Sequence, residues 1–228
     1  MILLSKCMRM LCVLSLGLVM SCATTAMENE QRIPLPAAEL GQAMSIDEAL
    51  KQRRSIRKFS RDNIVLEDVS QLLWAAQGIT NRRGFRTAPS AGALYPLELY
   101  LVAGSVKGLS PGVYHYRPAE HDLVLVASGD RRKPLASAAL RQSWVRGAPA
   151  VLLITGVYQR TMAKYGQRGR RYVHMEVGHA AQNVYLQATA RDLGTVMVGA
   201  FDDNKVQESL SLPADHEPLA LMPIGRRR

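Results

Sequence analysis

Arg53, Arg54, Ser55 and Arg57 put three guanidiniums and a hydroxyl within five residues. Arginine presents a planar fork of donors that matches phosphate oxygens, and serine adds one more donor. The stretch reads as an anion site at the end of a short helix. Favourable cations at a solvated helix C-terminus are the competing reading. A second segment, from Thr87 to Pro96, is rich in small residues. Its Pro89, Ser90, Ala91 and Gly92 form a loop where a flat ligand can approach backbone N–H groups. An ordinary turn is the competing reading. Together the two segments suggest a phosphate-bearing aromatic cofactor.

The elements around these residues follow from pattern. Ser45 with Glu48 three residues on is a capping box, so a helix should run to about Arg53. A second helix is expected over Val65 to Gln77. Glu67 and Asp68 lie in its first turn, Val69, Leu72, Leu73 and Ala76 share a face, and Gly78 ends it. Leu97 to Ala103 and Pro149 to Val157 are near-continuous apolar runs, as buried strands are. Gly112 to Tyr116 and Asp122 to Ala127 read as a hairpin. Asp130 to Trp144 is expected as one helix, and Tyr172 to Leu193 as the longest, stopped by Gly194. Thr195 to Phe201 and Leu219 to Ile224 are the last strands expected. No regular βαβ repeat and no GxGxxG appear, so a dinucleotide-binding fold is not expected. The fold class is α+β, a mixed, mostly antiparallel sheet flanked by helices.

The chain has 228 residues and a formal net charge of +10. Lys6 and Arg9 are the only charges in residues 1–21, so +8 remains without that stretch. This favours an anionic partner. Basic stripes with interleaved aromatics are absent, so nucleic acid is not expected. Residues 1–22 have a positive start, an apolar run from Met10 to Met20, and Val19-Met20-Ser21-Cys22. This is the pattern of a lipoprotein signal with lipid on Cys22. An ordinary secretory signal cut after Ala23 or Ala26, or an uncleaved anchor, stays open. Residues 23–43 read as a flexible tether and 44–228 as the folded domain. Cys7, Cys12 and Cys22 all precede that domain, which excludes a disulfide, a thiol nucleophile and a cysteine-ligated metal within it. The expected location is the periplasm or cell envelope, with a lipid anchor at the membrane.

Four segments in order carry a resemblance. They are Arg-Arg-Ser-Ile-Arg-Lys-Phe from 53, Ala-Pro-Ser-Ala-Gly-Ala-Leu-Tyr-Pro-Leu-Glu from 88, Gly-His-Ala-Ala-Gln-Asn-Val-Tyr-Leu-Gln-Ala from 178, and Leu-Gly-Thr-Val-Met-Val-Gly-Ala-Phe-Asp from 193. Over about residues 44–225 the chain resembles the nitroreductase superfamily, in its SagB/thiazole-oxidase-type dehydrogenase branch. The resemblance implies FMN and a homodimer with the flavin at the subunit interface. It implies that Arg53, Arg54, Ser55 and Arg57 hold the FMN phosphate and ribityl chain. Pro89, Ser90, Ala91 and Gly92 would meet the isoalloxazine ring from the partner subunit. Val198-Gly199 would take the place of the family's Glu-Gly pair through backbone contact. Ala93 stands where many relatives have asparagine, so that side-chain contact is missing. Arg226 and Arg228 would sit where late basic residues close on the phosphate, or form a plain basic tail.

The same branch carries a Lys-Tyr pair that deprotonates substrate, and Lys164-Tyr165 matches it; a basic surface loop is the alternative. His179 reads more readily as a packed histidine than a proton donor, and Tyr95 as a wall of the substrate pocket. The implied activity is two-electron oxidoreduction between a donor, with NAD(P)H as a co-substrate, and a small organic or peptide substrate. An azoline-type peptide dehydrogenase and a tethered flavin-binding protein without turnover are the alternatives.

Overall fold

The computed structural model describes residues 31–41 and 44–228. The signal segment and the first part of the tether, with all three cysteines, lie outside the described residues.

Seven strands form one antiparallel sheet in the order β1-β6-β5-β3-β7-β9-β8. They are β1 Arg32–Pro34, β3 Leu97–Ala103, β5 Gly112–Arg117, β6 Asp122–Ser128, β7 Ala150–Gly156, β8 Leu193–Thr195 and β9 Glu217–Arg226. A parallel two-stranded ribbon pairs β2 Ile64–Val65 with β4 Val106–Lys107. The helices are α1 Ile46–Gln52, α2 Leu66–Gln77, α3 Arg132–Ala138, α4 Ser143–Gly147, α5 Tyr158–Tyr165, α6 Arg168–Ala190 and α7 Asp203–Leu210. None of the described helices is long and apolar enough to cross a membrane.

The apolar runs of β3 and β7 have a simple cause. Alternate side chains of a strand point to opposite faces, and both faces here are covered. Leu97, Leu99, Leu101, Leu152 and Ile154 join the core under α2 and α6. Tyr100, Val102, Val151 and Leu153 join a second core with Leu135, Val145, Val206 and Leu210 of α3, α4 and α7. The α+β fold class holds as expected, and α1, α2, β3 and the β5–β6 hairpin fall within two residues of expectation. Ser45 Oγ accepts the Glu48 N–H at 3.1 Å, which starts α1 as the sequence indicates.

Four expectations change. The single helix over Asp130 to Trp144 is two helices, because Leu140 (φ 54°) and Arg141 (φ 59°) are left-handed. The Arg141 N–H returns to the Ala136 carbonyl at 2.8 Å, a closing bond of the kind that ends helices. α6 starts four residues earlier than expected and ends at Ala190, before a left-handed Asp192 (φ 56°). Gly194 is therefore not its stop. It lies in β8, where a Cβ would come 2.6 Å from Ile56 Cγ2, so close packing demands glycine. The strand expected over Thr195 to Phe201 ends at Thr195, with only a bridge from Val198 to Leu221 beyond it. Lastly, the end of the expected tether is seated on the domain. Arg32–Pro34 pairs with β6, Leu35 is buried, and the Glu39 N–H donates to Gln71 Oε1 at 2.8 Å.

Candidate active site

Helix α6 carries most of the site. Its 23 residues cross the sheet, with Val173, Val177, Ala180, Ala181, Val184 and Ala188 in the core. Two polar residues at its flanks hold the two segments singled out above. Tyr185 holds the arginine-rich stretch and Glu176 holds the small-residue loop. They are nine residues apart, which is about 13.5 Å along the axis and about half a turn around it. The halves of the expected site thus occupy opposite flanks of one helix.

At the first half, Arg53 caps the C-terminus of α1 with its N–H on the Ala49 carbonyl, and its guanidinium lies 5.1 Å above the Tyr185 ring. Ser55 Oγ is 3.1 Å from Tyr185 Oη, which also accepts the Met197 N–H at 2.7 Å. The Ile56 N–H donates to the Thr195 carbonyl at 2.8 Å. Arg54 turns back onto the Lys51 and Arg53 carbonyls, and the Arg57 guanidinium sits 5.6 Å from the Trp144 ring. Among the described residues none of these three arginines has a carboxylate partner. Two buried polar atoms nearby, Thr195 Oγ1 and Trp144 Nε1, have no hydrogen-bond partner there either. Unpaired cations beside orphaned donors fit a phosphate-bearing group.

At the second half, the loop turns sharply. Gly92 (φ 64°), Ala93 (φ 54°) and Tyr95 (φ 46°) are all left-handed. Ser90 Oγ accepts the Tyr95 N–H at 2.9 Å, and Arg160 donates to the Tyr95 carbonyl at 3.1 Å. Arg86 stacks over the Tyr95 ring at 4.5 Å. Lys164 and Tyr165, at the end of α5, come to this loop. A Cβ built on Gly92 would lie 2.8 Å from Tyr165 Oη and 3.0 Å from Lys164 Nζ. The stretch that allowed a surface-loop reading is therefore helix α5, with Tyr165 half-buried and packed edge-on to Tyr172 at 5.1 Å. Pro89, Ser90, Ala91, Tyr172, Met175, Glu176 and His179 line a cavity of about 250 Å³ beside it.

Several expected contacts are placed otherwise. Ala91 does not offer its N–H outward, because Glu176 Oε1 accepts it at 2.9 Å. Val198 has neither backbone group to spare: its N–H and carbonyl pair with Leu221 at 2.8 and 2.9 Å. Gly199 is exposed with open space around it. Arg226 does not point to the arginine-rich stretch. Its guanidinium is drawn to the buried Asp68 carboxylate at 2.7 Å and to the Arg191 carbonyl. Asp68 also takes Arg191 at 3.0 Å, so Arg226 belongs to a buried ion network. Arg228 is exposed and borders a separate hollow with Phe59, Ser60 and Arg61. His179 is exposed at the mouth of the 250 Å³ cavity.

Residue-type reading missed Glu176, Tyr185 and the Glu98–Arg160 pair at 2.6 Å. Glu176 is 4% exposed, and burial pushes its carboxyl up from the ordinary value. The Ala91 N–H, the Ser90 hydroxyl, the His179 ring and the Arg86 guanidinium nearby partly oppose that rise. The one available signal was a glutamate on the buried side of a helix whose neighbours at i+4 and i+5 are alanines.

The chain is similar to known proteins. The Nitroreductase family matches residues 50–226. A protein of Methanocaldococcus jannaschii carrying the nitroreductase name is 47% identical over 201 residues, covering 88% of this chain and 99% of that one. The microcin B17-processing protein McbC of Escherichia coli is 30% identical over 132 residues, covering 56% of this chain and 48% of that one. A crystal structure from Ralstonia eutropha, also under the nitroreductase name, superimposes with a TM-score of 0.76 at 28% identity, covering 87% of this chain and 90% of that one.

Proposed function

Because this chain belongs to the nitroreductase family, we propose that it is an FMN-dependent oxidoreductase that passes two electrons between a donor, NAD(P)H among the candidates, and a small organic or peptide substrate. One observation carries the reading. Gly92 of the loop and the Lys164-Tyr165 pair, 72 residues apart in sequence, meet within 3.0 Å of a common point. It supports a reading in which an amine and a hydroxyl flank the loop assigned to the flavin ring.

FMN, when bound, supplies the redox chemistry. The chain's own residues bind and orient. Arg53, Arg54, Ser55 and Arg57 hold the phosphate and ribityl end, and the Pro89–Gly92 loop faces the ring. Since the two halves lie on opposite flanks of α6, a homodimer in which each chain lends its loop to the other suits the geometry. Lys164 Nζ and Tyr165 Oη take or return the substrate proton as hydride leaves or arrives.

The similarity to McbC, together with this Lys-Tyr placement, favours a peptide-dehydrogenase variant of the reading. There the substrate would be an azoline-bearing peptide, and bound flavin would supply the hydride-accepting chemistry. The anchor expected at Cys22 would tether either enzyme to a membrane.

The test is an anaerobic absorbance titration of the purified domain. Yellow protein bleached by NADPH or NADH supports the nicotinamide-linked form. Yellow protein bleached only by an azoline peptide supports the variant. Colourless protein that FMN does not reconstitute refutes both.

A further inference from the structure

The loop from Pro89 to Tyr95 holds three left-handed residues, two of them with side chains. Such backbone is disfavoured for residues with a Cβ and persists only where the surroundings fix it. The second half of the loop has visible restraints. Ser90 Oγ clamps the Tyr95 N–H, Arg160 takes the Tyr95 carbonyl, and Glu98 anchors Arg160 at 2.6 Å.

The first half is held differently. Glu176 Oε1 accepts the Ala91 N–H at 2.9 Å. That N–H comes from the loop, 85 residues away in sequence. Glutamate is rarely this buried unless something requires it. No ion pair explains it: among the described residues none of the salt bridges involves Glu176. Glu176 lines the 250 Å³ cavity together with the exposed His179 and Met175.

We propose that Glu176 is a positioning residue that fixes Pro89–Gly92 against Lys164 and Tyr165, and so sets where substrate meets the flavin. The proposal rests on the reading of that loop as flavin-facing. Glu176 touches neither substrate nor cofactor in this role; it acts through the Ala91 N–H. Turning Ala91 inward leaves the exposed Pro89, Gly92 and Ala93 as the loop's outward surface. Glutamine in place of glutamate keeps an acceptor for the Ala91 N–H, whereas alanine does not.

The experiment compares wild type, Glu176→Gln, Glu176→Asp and Glu176→Ala by amide hydrogen exchange over residues 89–95, flavin content, and KM and kcat measured separately. Glu176→Ala is expected to speed exchange in the loop at least tenfold and to lower kcat at least tenfold, with flavin retained. Glu176→Gln should stay within about threefold of wild type in both. Where Glu176→Ala does not fold, Glu176→Asp, whose carboxylate is one methylene shorter and falls short of the Ala91 N–H, should move exchange and kcat in the same direction by a smaller factor. Unchanged loop exchange in the alanine and aspartate variants overturns the proposal. So does a glutamine variant as impaired in kcat as the alanine one, since that marks an acid or base rather than a clamp. Failure of the flavin reading shows separately, as wild type that takes no FMN, while loop exchange still reports on the clamp.

Discussion

Gly92→Ala tests the junction on which the proposed chemistry depends. The residue sits at φ 64°, and its missing Cβ would lie 2.8 Å from Tyr165 Oη and 3.0 Å from Lys164 Nζ. The left-handed backbone alone costs an alanine about 1–2 kcal/mol. For a chain of this size, that lowers Tm by about 2–8 °C. The contact adds a second effect. Both atoms are the far ends of flexible side chains, so they retreat by roughly half an ångström rather than break the fold. Misplacement of a reacting group by about 1 Å costs about 100-fold, so a loss of about tenfold in kcat is expected, with FMN still bound. A double-mutant cycle with Tyr165→Phe isolates the contact. Removing the hydroxyl removes the nearer clash, so Gly92→Ala should cost about threefold or less in that background. Full additivity of the two changes, measured by steady-state kcat beside thermal melts, would refute the placement of Tyr165 over the loop.

Arg57→Ala should weaken FMN binding by about 2 kcal/mol, or about 30-fold, the scale of one charge-assisted hydrogen bond; unchanged flavin titration would remove Arg57 from the site. Burial would raise the Glu98 carboxyl, but the His115 hydrogen bond and the Arg160 charge outweigh it, and the net shift is downward from 4.5. A depressed acid stabilises the fold above its ordinary value and loses that contribution as pH falls through the lower folded value. Urea unfolding of wild type should therefore weaken on acidification below about pH 5, and Glu98→Gln should flatten that limb; parallel curves would contradict the assignment. Cys22→Ser should shift the full chain from the membrane fraction to the soluble one, and persistent pelleting after salt washing would rule out a lipid anchor there.

Much of the scaffold was legible because burial leaves a plain mark. Alternate residues of β3 and β7 enter different cores, so neither strand has a polar face to interrupt the run. The Ser45 cap and the acidic first turn of α2 were equally direct. The stretch over Arg160 to Arg171 was not, because α5 and the start of α6 are rich in arginine and mostly exposed. Their helicity comes from packing: Gly169 presses so closely on Thr161 and Met162 that a Cβ would come within 2.9 Å. The segment over Arg32 to Leu35 has a linker's composition, but Ser70 and His121 each meet the Pro36 carbonyl and hold it to the domain. Glu176 was illegible for a related reason. What gives it a role is a loop far away in sequence, and no local pattern announces that.

The same dependence on a distant partner governs the arginine-rich stretch. Its position comes less from α1, a helix of only seven residues, than from Tyr185 of α6. The Tyr185 hydroxyl joins Ser55 to the Met197 N–H, and its ring carries the Arg53 guanidinium. Tyr185→Phe separates these duties, since phenylalanine keeps the ring under Arg53 and deletes only the hydroxyl. The exposed Met197 N–H can turn to water, so the stability loss should be no more than about 1 kcal/mol. Ser55, released from its anchor, should cost FMN affinity about fivefold, a loss of about 1 kcal/mol that appears in the off-rate. Tyr185→Leu, lacking the ring as well, should lose more affinity than Tyr185→Phe by freeing Arg53. Stability that falls while FMN affinity holds in both variants would mean that Tyr185 serves the fold alone. The anion site would then have to rest on Arg54 and Arg57, whose positions do not depend on it.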